Sequence, residues 1–302
     1  MINNIVIDIR SITTLLIITF IIVITHYCLK SNRLLDLKKT KGGKRVVVSL
    51  TSSPTRITLI KDTLDSIMKQ TIKPDLIYLN LPFVFKRTNK KFKYPLPSFI
   101  TSNTLIVVNQ CKDIGPATKV LPVLEHEQKN ETVIISIDDD ITYNPLLIET
   151  LLSRSNEFPN SVITTSSFVI DDIRQKKNER HDVTYVQLLE GFSGVLYKVK
   201  FIKNFDISIL SKTIVECFRS DDVMLSNHVL SEGYSIIKTN KILGTPLDYG
   251  LKEDALHNLQ IKNKPLMDEV AIHSINYTKC ANWLDKKGLL SIKLKDNKFK
   301  NY

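Results

Sequence analysis

Four short apolar runs, over residues 46–50, 76–81, 105–108 and 133–137, alternate with segments of helical character. The first, Val46-Val47-Val48-Ser49-Leu50, is almost wholly apolar rather than alternating with polar residues. That is the pattern of a strand buried on both faces, and such strands belong to parallel sheets covered by helices. Between the first two runs, Ile60, Leu64, Ile67 and Met68 repeat at helical spacing and form one apolar face, with Thr58 placed to cap the start. Further helices are expected over 118–127, 145–155 and 222–230, and residues 191–197 read as a loop entering a strand. Strands alternating with helices predict an α/β fold: an open, Rossmann-like, mostly parallel sheet flanked by helices. Ligands of such sheets gather beyond the carboxyl ends of the strands.

The 302 residues give room for one large domain or two small ones. A hydrophobic share of 43% and a charged share of 24% are ordinary for a folded chain and exclude both wholesale disorder and a many-span membrane protein. One apolar stretch stands apart. No Asp, Glu, Lys or Arg lies between Arg10 and Lys30, and this length suffices for a transmembrane helix. The expected organisation is therefore a tail at 1–10, a membrane anchor at 11–29, a basic juxtamembrane linker at 30–44 and one folded domain at 45–302. Lys30, Arg33, Lys38, Lys39 and Lys41 follow the span while Arg10 alone precedes it, so the positive-inside rule places a single-pass protein's domain in the cytosol. Sequons at Asn130-Glu131-Thr132 and Asn276-Tyr277-Thr278 are compatible with a secretory lumen instead.

The 42 basic and 31 acidic residues leave a net charge of +11, which suits anionic membranes or phosphorylated ligands. Neither zinc-finger spacing nor basic residues interleaved with aromatics is present, so nucleic acid is not an expected partner. Cys28 ends the apolar stretch, and Cys111, Cys217 and Cys280 are scattered, with no CxxC and no Cys/His cluster. Neither a disulfide framework nor a structural zinc is expected. Any metal has to be held by carboxylates.

Carboxylates stand at the end of the fourth run, where Ile134-Ile135-Ser136-Ile137 leads into Asp138-Asp139-Asp140. Adjacent carboxylates raise one another's pKa unless positive charge is near, and a hard divalent cation supplies it. On an extended chain alternate side chains share a face, so Asp138 and Asp140 can converge on one ion while Asp139 points away and supports the turn. Mn²⁺ or Mg²⁺ held by one or two carboxylates keeps positions open for substrate phosphates.

The passage Ser66-Ile67-Met68-Lys69-Gln70-Thr71-Ile72-Lys73-Pro74-Asp75-Leu76-Ile77-Tyr78-Leu79 resembles the "SI…Q…P…I" segment of family-2-like GT-A glycosyltransferases, and Asp138-Asp139-Asp140 is similar to their DxD. The resemblance runs over roughly residues 46–230. It implies a GT-A fold and an enzyme that moves sugar from a nucleotide-sugar donor, often UDP-linked, to a glycan or other hydroxyl acceptor, here expected to be membrane-anchored by the apolar stretch between Arg10 and Lys30. Metal binding is carried onto Asp138 and Asp140, with His273, read as a residue on a strand, as a late third ligand. Donor contacts are carried onto Arg56 of the Thr51–Arg56 segment, Lys119 of Asp113–Lys119, Asp139, and the glycine loop at Gly191 and Gly194. Ser220-Asp221-Asp222 matches the acidic base of an inverting transferase, with Asp222 first and Asp221 second. Trp283 is a candidate to stack on an acceptor sugar.

Two other readings compete. Residues 138–142 match the D-x-D-x-T of haloacid-dehalogenase-like phosphatases, with Asp138 as nucleophile and Asp140 as acid/base. In that family the motif follows the first core strand, whereas three strand-like runs precede it here. A transferase fold that only binds glycans is the other.

Overall fold

In the computed structural model, which describes residues 17–24, 43–167, 176–178, 182–239 and 267–293, the apolar runs are strands. They are β1 (Val46–Thr51), β2 (Leu76–Pro82), β3 (Ile106–Cys111) and β4 (Val133–Ser136). The later strands are β5 (Ser161–Thr164), β6 (Lys176–Asn178), β7 (Val183–Val186), β8 (Val195–Lys198) and β9 (Ser235–Thr239). All join one sheet ordered β3-β2-β1-β4-β8-β5-β9-β7-β6. β3, β2, β1 and β4 pair in parallel. β8 runs antiparallel between β4 and β5, β5 and β9 are parallel, and β7 is antiparallel to β9 and β6. Among the described residues, then, β8 and β7 alone oppose the common direction, and the sheet is mostly parallel.

The helices are α1 (residues 17–24), α2 (Lys61–Met68), α3 (Ser98–Thr101), α4 (Leu147–Glu157) and α5 (Val199–Ile202). They continue with α6 (Ser208–Lys212), α7 (Val215–Phe218), α8 (Asp221–Ser231) and α9 (Met267–Lys286). Val46, Val47, Val48 and Leu50 are all fully buried, which is why their run shows no polar alternation. Val47, Ile134, Val195 and Tyr197 share an apolar cluster with Val223, Leu225 and Val229 of α8 and with Ala281 and Leu284 of α9. Each such fully buried Val or Leu contributes on the order of 1.5–3 kcal/mol. α4 packs on β5 and β8. Gln70 ties α2 to α4: its Nε2 donates to the Asn144 carbonyl at 2.7 Å and its Oε1 accepts from the Ile148 N–H at 3.0 Å. The glutamine of the quoted passage thus holds the chain that leaves the carboxylate run.

Several expectations are corrected. The helix expected over 118–127 is two 3₁₀ turns, Ala117–Lys119 and Leu121–Glu125. Pro122 favours the break, since it has no N–H to carry an α-helical bond back across the junction, and Val120 between the two turns leaves helical geometry at φ −121°. Thr58 does not cap α2; the N-cap is Ile60, without a side-chain cap bond. Cys217 and Cys280 form a disulfide across 63 residues, joining α7 to α9, while Cys111 is free and buried. The fold makes that pairing, and no local spacing announces it. His273 falls in α9, a helix rather than a strand, and its side chain lies outside the described residues. Trp283 packs, partly buried, against the core cluster, as a core residue does.

The chain divides into two units, Met1–Gly43 and Lys44–Tyr302. Of the expected anchor only α1 is described, and its Ile17, Phe20, Ile22 and Val23 are exposed. Among the described residues no helix is long and apolar enough to cross a membrane. The rest of the 11–29 segment and the linker up to residue 42 lie outside the described residues.

Candidate active site

Apart from Trp283, which packs on the core cluster, and His273, whose side chain lies outside the described residues, the residues singled out in the sequence gather at one edge of the sheet. Asp138, Asp139 and Asp140 follow the carboxyl end of β4, Ser52 to Arg56 follow that of β1, and Asp113 to Lys119 follow that of β3. Because β8 is antiparallel, with Val195 opposite Ser136, the glycine loop that precedes it meets the same edge. This is the edge at which open parallel sheets take their ligands.

Asp139 turns inward, as the alternation of side chains requires. The Ser52 hydroxyl donates to its Oδ2 at 2.5 Å, Arg56 Nε donates to both oxygens at 3.2 Å, and the Thr63 hydroxyl donates to its carbonyl at 3.0 Å. Burial raises the Asp139 carboxyl above its ordinary range, against the pull of Arg56. Arg56 is only 1% exposed and also lies 3.8 Å from Asp140, so it sits beneath the carboxylates as a fixed counter-charge. Burial, then Asp138 and Asp139, push Asp140 up to about 7.

Asp138 is the most open of the three, with 34% of its side chain exposed. Its N–H donates to the Tyr143 oxygen at 2.9 Å, and the Tyr143 hydroxyl donates to the Phe192 carbonyl at 2.6 Å, stitching the carboxylate run to the glycine loop. Its Oδ1 accepts from Lys119 Nζ at 3.0 Å. Lys119 lies 3.4 Å from Asp221 Oδ2 on its other side and is buried rather than a surface lysine. Burial works to lower its pKa, but Asp138, Asp221 and Asp222 outweigh burial and raise it well above the ordinary value. Two anchors aim it. The Lys119 carbonyl accepts from the Ser49 hydroxyl at 2.5 Å, and Gly115 turns the chain with φ of +73° where a Cβ would strike the Phe218 carbonyl at 2.5 Å.

Asp221 and Asp222 open α8, where the helix dipole favours negative charge. Asp222 Oδ1 accepts from the Gly191 N–H at 3.0 Å, and its Oδ2 accepts from the Tyr277 hydroxyl at 2.6 Å. Burial and then Asp221 push Asp222 up to about 8, and burial raises Asp221 as well. Gly191 has no room for a side chain: a Cβ would lie 2.6 Å from Lys119 Nζ and 3.0 Å from Asp222 Oδ1. Gly194, at φ +104°, makes the turn into β8 against Leu147.

Asp138, Asp139, Asp140, Asp221 and Asp222 thus face Arg56 and Lys119, five formal negative charges against two positive, for a balance of −3. Such a deficit is relieved by protons or by a cation. Asp138 offers hard oxygen donors to the open side and Asp140, at 13% exposure, lies deeper beside Arg56, a donor pair whose chemistry fits Mg²⁺ or Mn²⁺ completed by substrate phosphate. Among the described residues no group of three or more His, Cys, Asp or Glu side chains is placed to hold a metal ion, so protein ligands beyond this pair are not supplied. Sequence reasoning missed Tyr143 and Tyr277. Tyr143 is five residues from Asp138 and carries no motif, and Tyr277 reaches Asp222 from 55 residues away.

No family model and no curated protein matches the sequence. Among solved structures the chain is similar to a crystal structure of 4-diphosphocytidyl-2C-methyl-D-erythritol synthase. The TM-score is 0.42 and the identity 10%, over 68% of this chain and 94% of that one. A likeness of that size carries no argument about activity.

Proposed function

We propose that the chain is a metal-dependent, inverting glycosyltransferase that takes sugar from a nucleotide-sugar donor, UDP-linked in the first instance, and delivers it to a hydroxyl of a glycan or similar acceptor. One observation carries the reading: Asp138 and the Asp221-Asp222 pair face each other across the buried Lys119, with Gly191 pressed between Lys119 and Asp222. That arrangement offers an acid-lined face for a diphosphate-bound cation, a fixed ammonium, and a separate carboxylate for proton removal. The phosphatase and glycan-binding readings leave Asp222 and the glycine loop without a task.

Asp138 and Asp140 would hold Mn²⁺ or Mg²⁺, which when bound supplies charge stabilisation to the departing diphosphate. Arg56 keeps Asp139 and Asp140 in place from below. Lys119 offsets negative charge on the donor side. Asp222 is the base, its two oxygens oriented by Gly191 N–H and the Tyr277 hydroxyl. It takes the proton from the acceptor hydroxyl as that oxygen bonds to the anomeric carbon and the bond from that carbon to phosphate breaks. A carboxyl tuned to about 8 is well matched to such a transfer. Asp221 is the partner of Lys119 rather than the base.

The charge-free stretch from Arg10 to Lys30 supports a membrane anchor as part of the proposal. The Cys217–Cys280 disulfide favours an oxidising compartment such as a secretory lumen over the cytosolic placement that the basic flank suggests. The test is to incubate the full-length protein with a panel of nucleotide sugars, with and without Mn²⁺, and to follow nucleoside diphosphate release. Manganese-stimulated release is expected, and its absence with every donor would sink the reading.

A further inference from the structure

We propose that Tyr277 is the positioning residue for Asp222, and that the Cys217–Cys280 disulfide exists to hold it there. The inference rests on Asp222 being the base and adds how that base is kept in register. Four residues form a closed ring. Asp222 lies five residues beyond Cys217, Tyr277 lies three before Cys280, the Tyr277 hydroxyl is 2.6 Å from Asp222 Oδ2, and the disulfide closes the circuit. Positions three apart on a helix share a face, so Tyr277 and Cys280 present together toward α7 and α8. Every member is buried: Cys217 and Cys280 at 0% exposure, Tyr277 at 6% and Asp222 at 9%.

Among the described residues, α9 is held by core packing of Tyr277 itself and by attachments further along the helix. Ala281 and Leu284 enter the core, and beyond the helix Asn227 donates to the Leu289 carbonyl at 2.9 Å and accepts from the Ser291 N–H at 2.6 Å. Nearer Tyr277, the disulfide is the covalent tie, beside an exposed contact of Lys279 with Glu216 at 3.2 Å. The short segment Phe218 to Asp221 carries the other end of that tie straight into the helix start that bears Asp222. A hydrogen bond to a buried carboxylate fixes its rotation only while both elements keep their spacing. Gly191 N–H grips Oδ1 from the glycine loop, so loss of the phenol leaves Asp222 held on one side only.

The experiment compares wild type, Tyr277→Phe, Cys217→Ser/Cys280→Ser and the triple variant, in the full-length protein. Should the serine pair fail to fold, Cys217→Ala/Cys280→Val replaces it. Tyr277→Phe should lower kcat by about 10- to 100-fold, the range for one hydrogen bond to a charged group, while donor KM stays within about twofold. The cysteine pair should lower kcat in the same direction, and the triple variant should fall no further than Tyr277→Phe alone. Hydrogen exchange supplies a readout that needs no turnover: the Gly191 amide and residues 221–224 should exchange about 10-fold faster in each variant. Unchanged kcat in Tyr277→Phe, multiplying effects in the triple variant, or unchanged exchange overturns the tie. Faster exchange in the variants with no turnover in the wild type leaves the tie standing and overturns the transferase reading instead.

Discussion

Replacing Asp222 with asparagine keeps the shape of the side chain and removes its charge. Burial and Asp221 push the folded-state carboxyl up to about 8, against an ordinary 3.8. An acid whose pKa is raised on folding is held protonated by the fold. Its contribution to stability is complete below about pH 4 and is lost as pH rises through about 8. A gap of about 4 pH units corresponds to roughly 5–6 kcal/mol of ionisation cost. Relaxation around the charge brings the expected difference to roughly 2–4 kcal/mol. At about 2–4 °C per kcal/mol for a domain of this size, Asp222→Asn should melt roughly 4–16 °C above wild type at pH 8.5, the gap closing near pH 4.5. Transfer should fall by about 10²- to 10⁴-fold with the loss of the base. Scanning calorimetry at the two pH values, paired with nucleoside diphosphate release, reads both. An equal melting gap at both pH values, or a kcat within a few-fold of wild type, would refute the reasoning.

The same carboxyl must be ionised to act, so kcat/KM should climb with pH and level off above about 8; a flat profile from pH 6 to 9 contradicts the assignment. Lys119→Met strands Asp138 and Asp221 without their shared ammonium, and urea unfolding should register a loss of about 3–5 kcal/mol. Gly191→Ala drives a methyl to within 2.6 Å of Lys119 Nζ. That tip is held by Asp138 and Asp221 and can shift only by loosening both pairs, so the melting temperature should fall and turnover should drop by about 10-fold or more; unaltered turnover speaks against a working Lys119.

The parallel half of the sheet was legible because β1, β2 and β4 are buried on both faces and so wrote continuous apolar runs. Asp138, Lys119, Gly191 and Asp222 could be named one by one from family-like motifs, but their mutual contacts could not. Nor could their other pairing partners. The motif marks Arg56 as a donor contact, whereas its place beneath Asp139 depends on the packing of the β1–α2 turn against the end of β4. Tyr277 and Cys280 stand more than 50 residues downstream of α8's start, and no periodicity links them to Asp222 and Cys217. The 3₁₀ turns around Lys119 hid behind an apolar pattern that also suits an α-helix, with Pro122 as the signal that decides between them.

The central claim is that Asp138 and Asp140 carry a catalytic cation for sugar transfer. The direct measurement is manganese-dependent nucleoside diphosphate release by wild type, Asp138→Ala and Asp140→Ala, each checked for its fold by circular dichroism. Manganese-stimulated turnover in the wild type, lost by at least about 100-fold in both folded variants, is the predicted result. Near-normal manganese-dependent turnover in either variant would contradict the account.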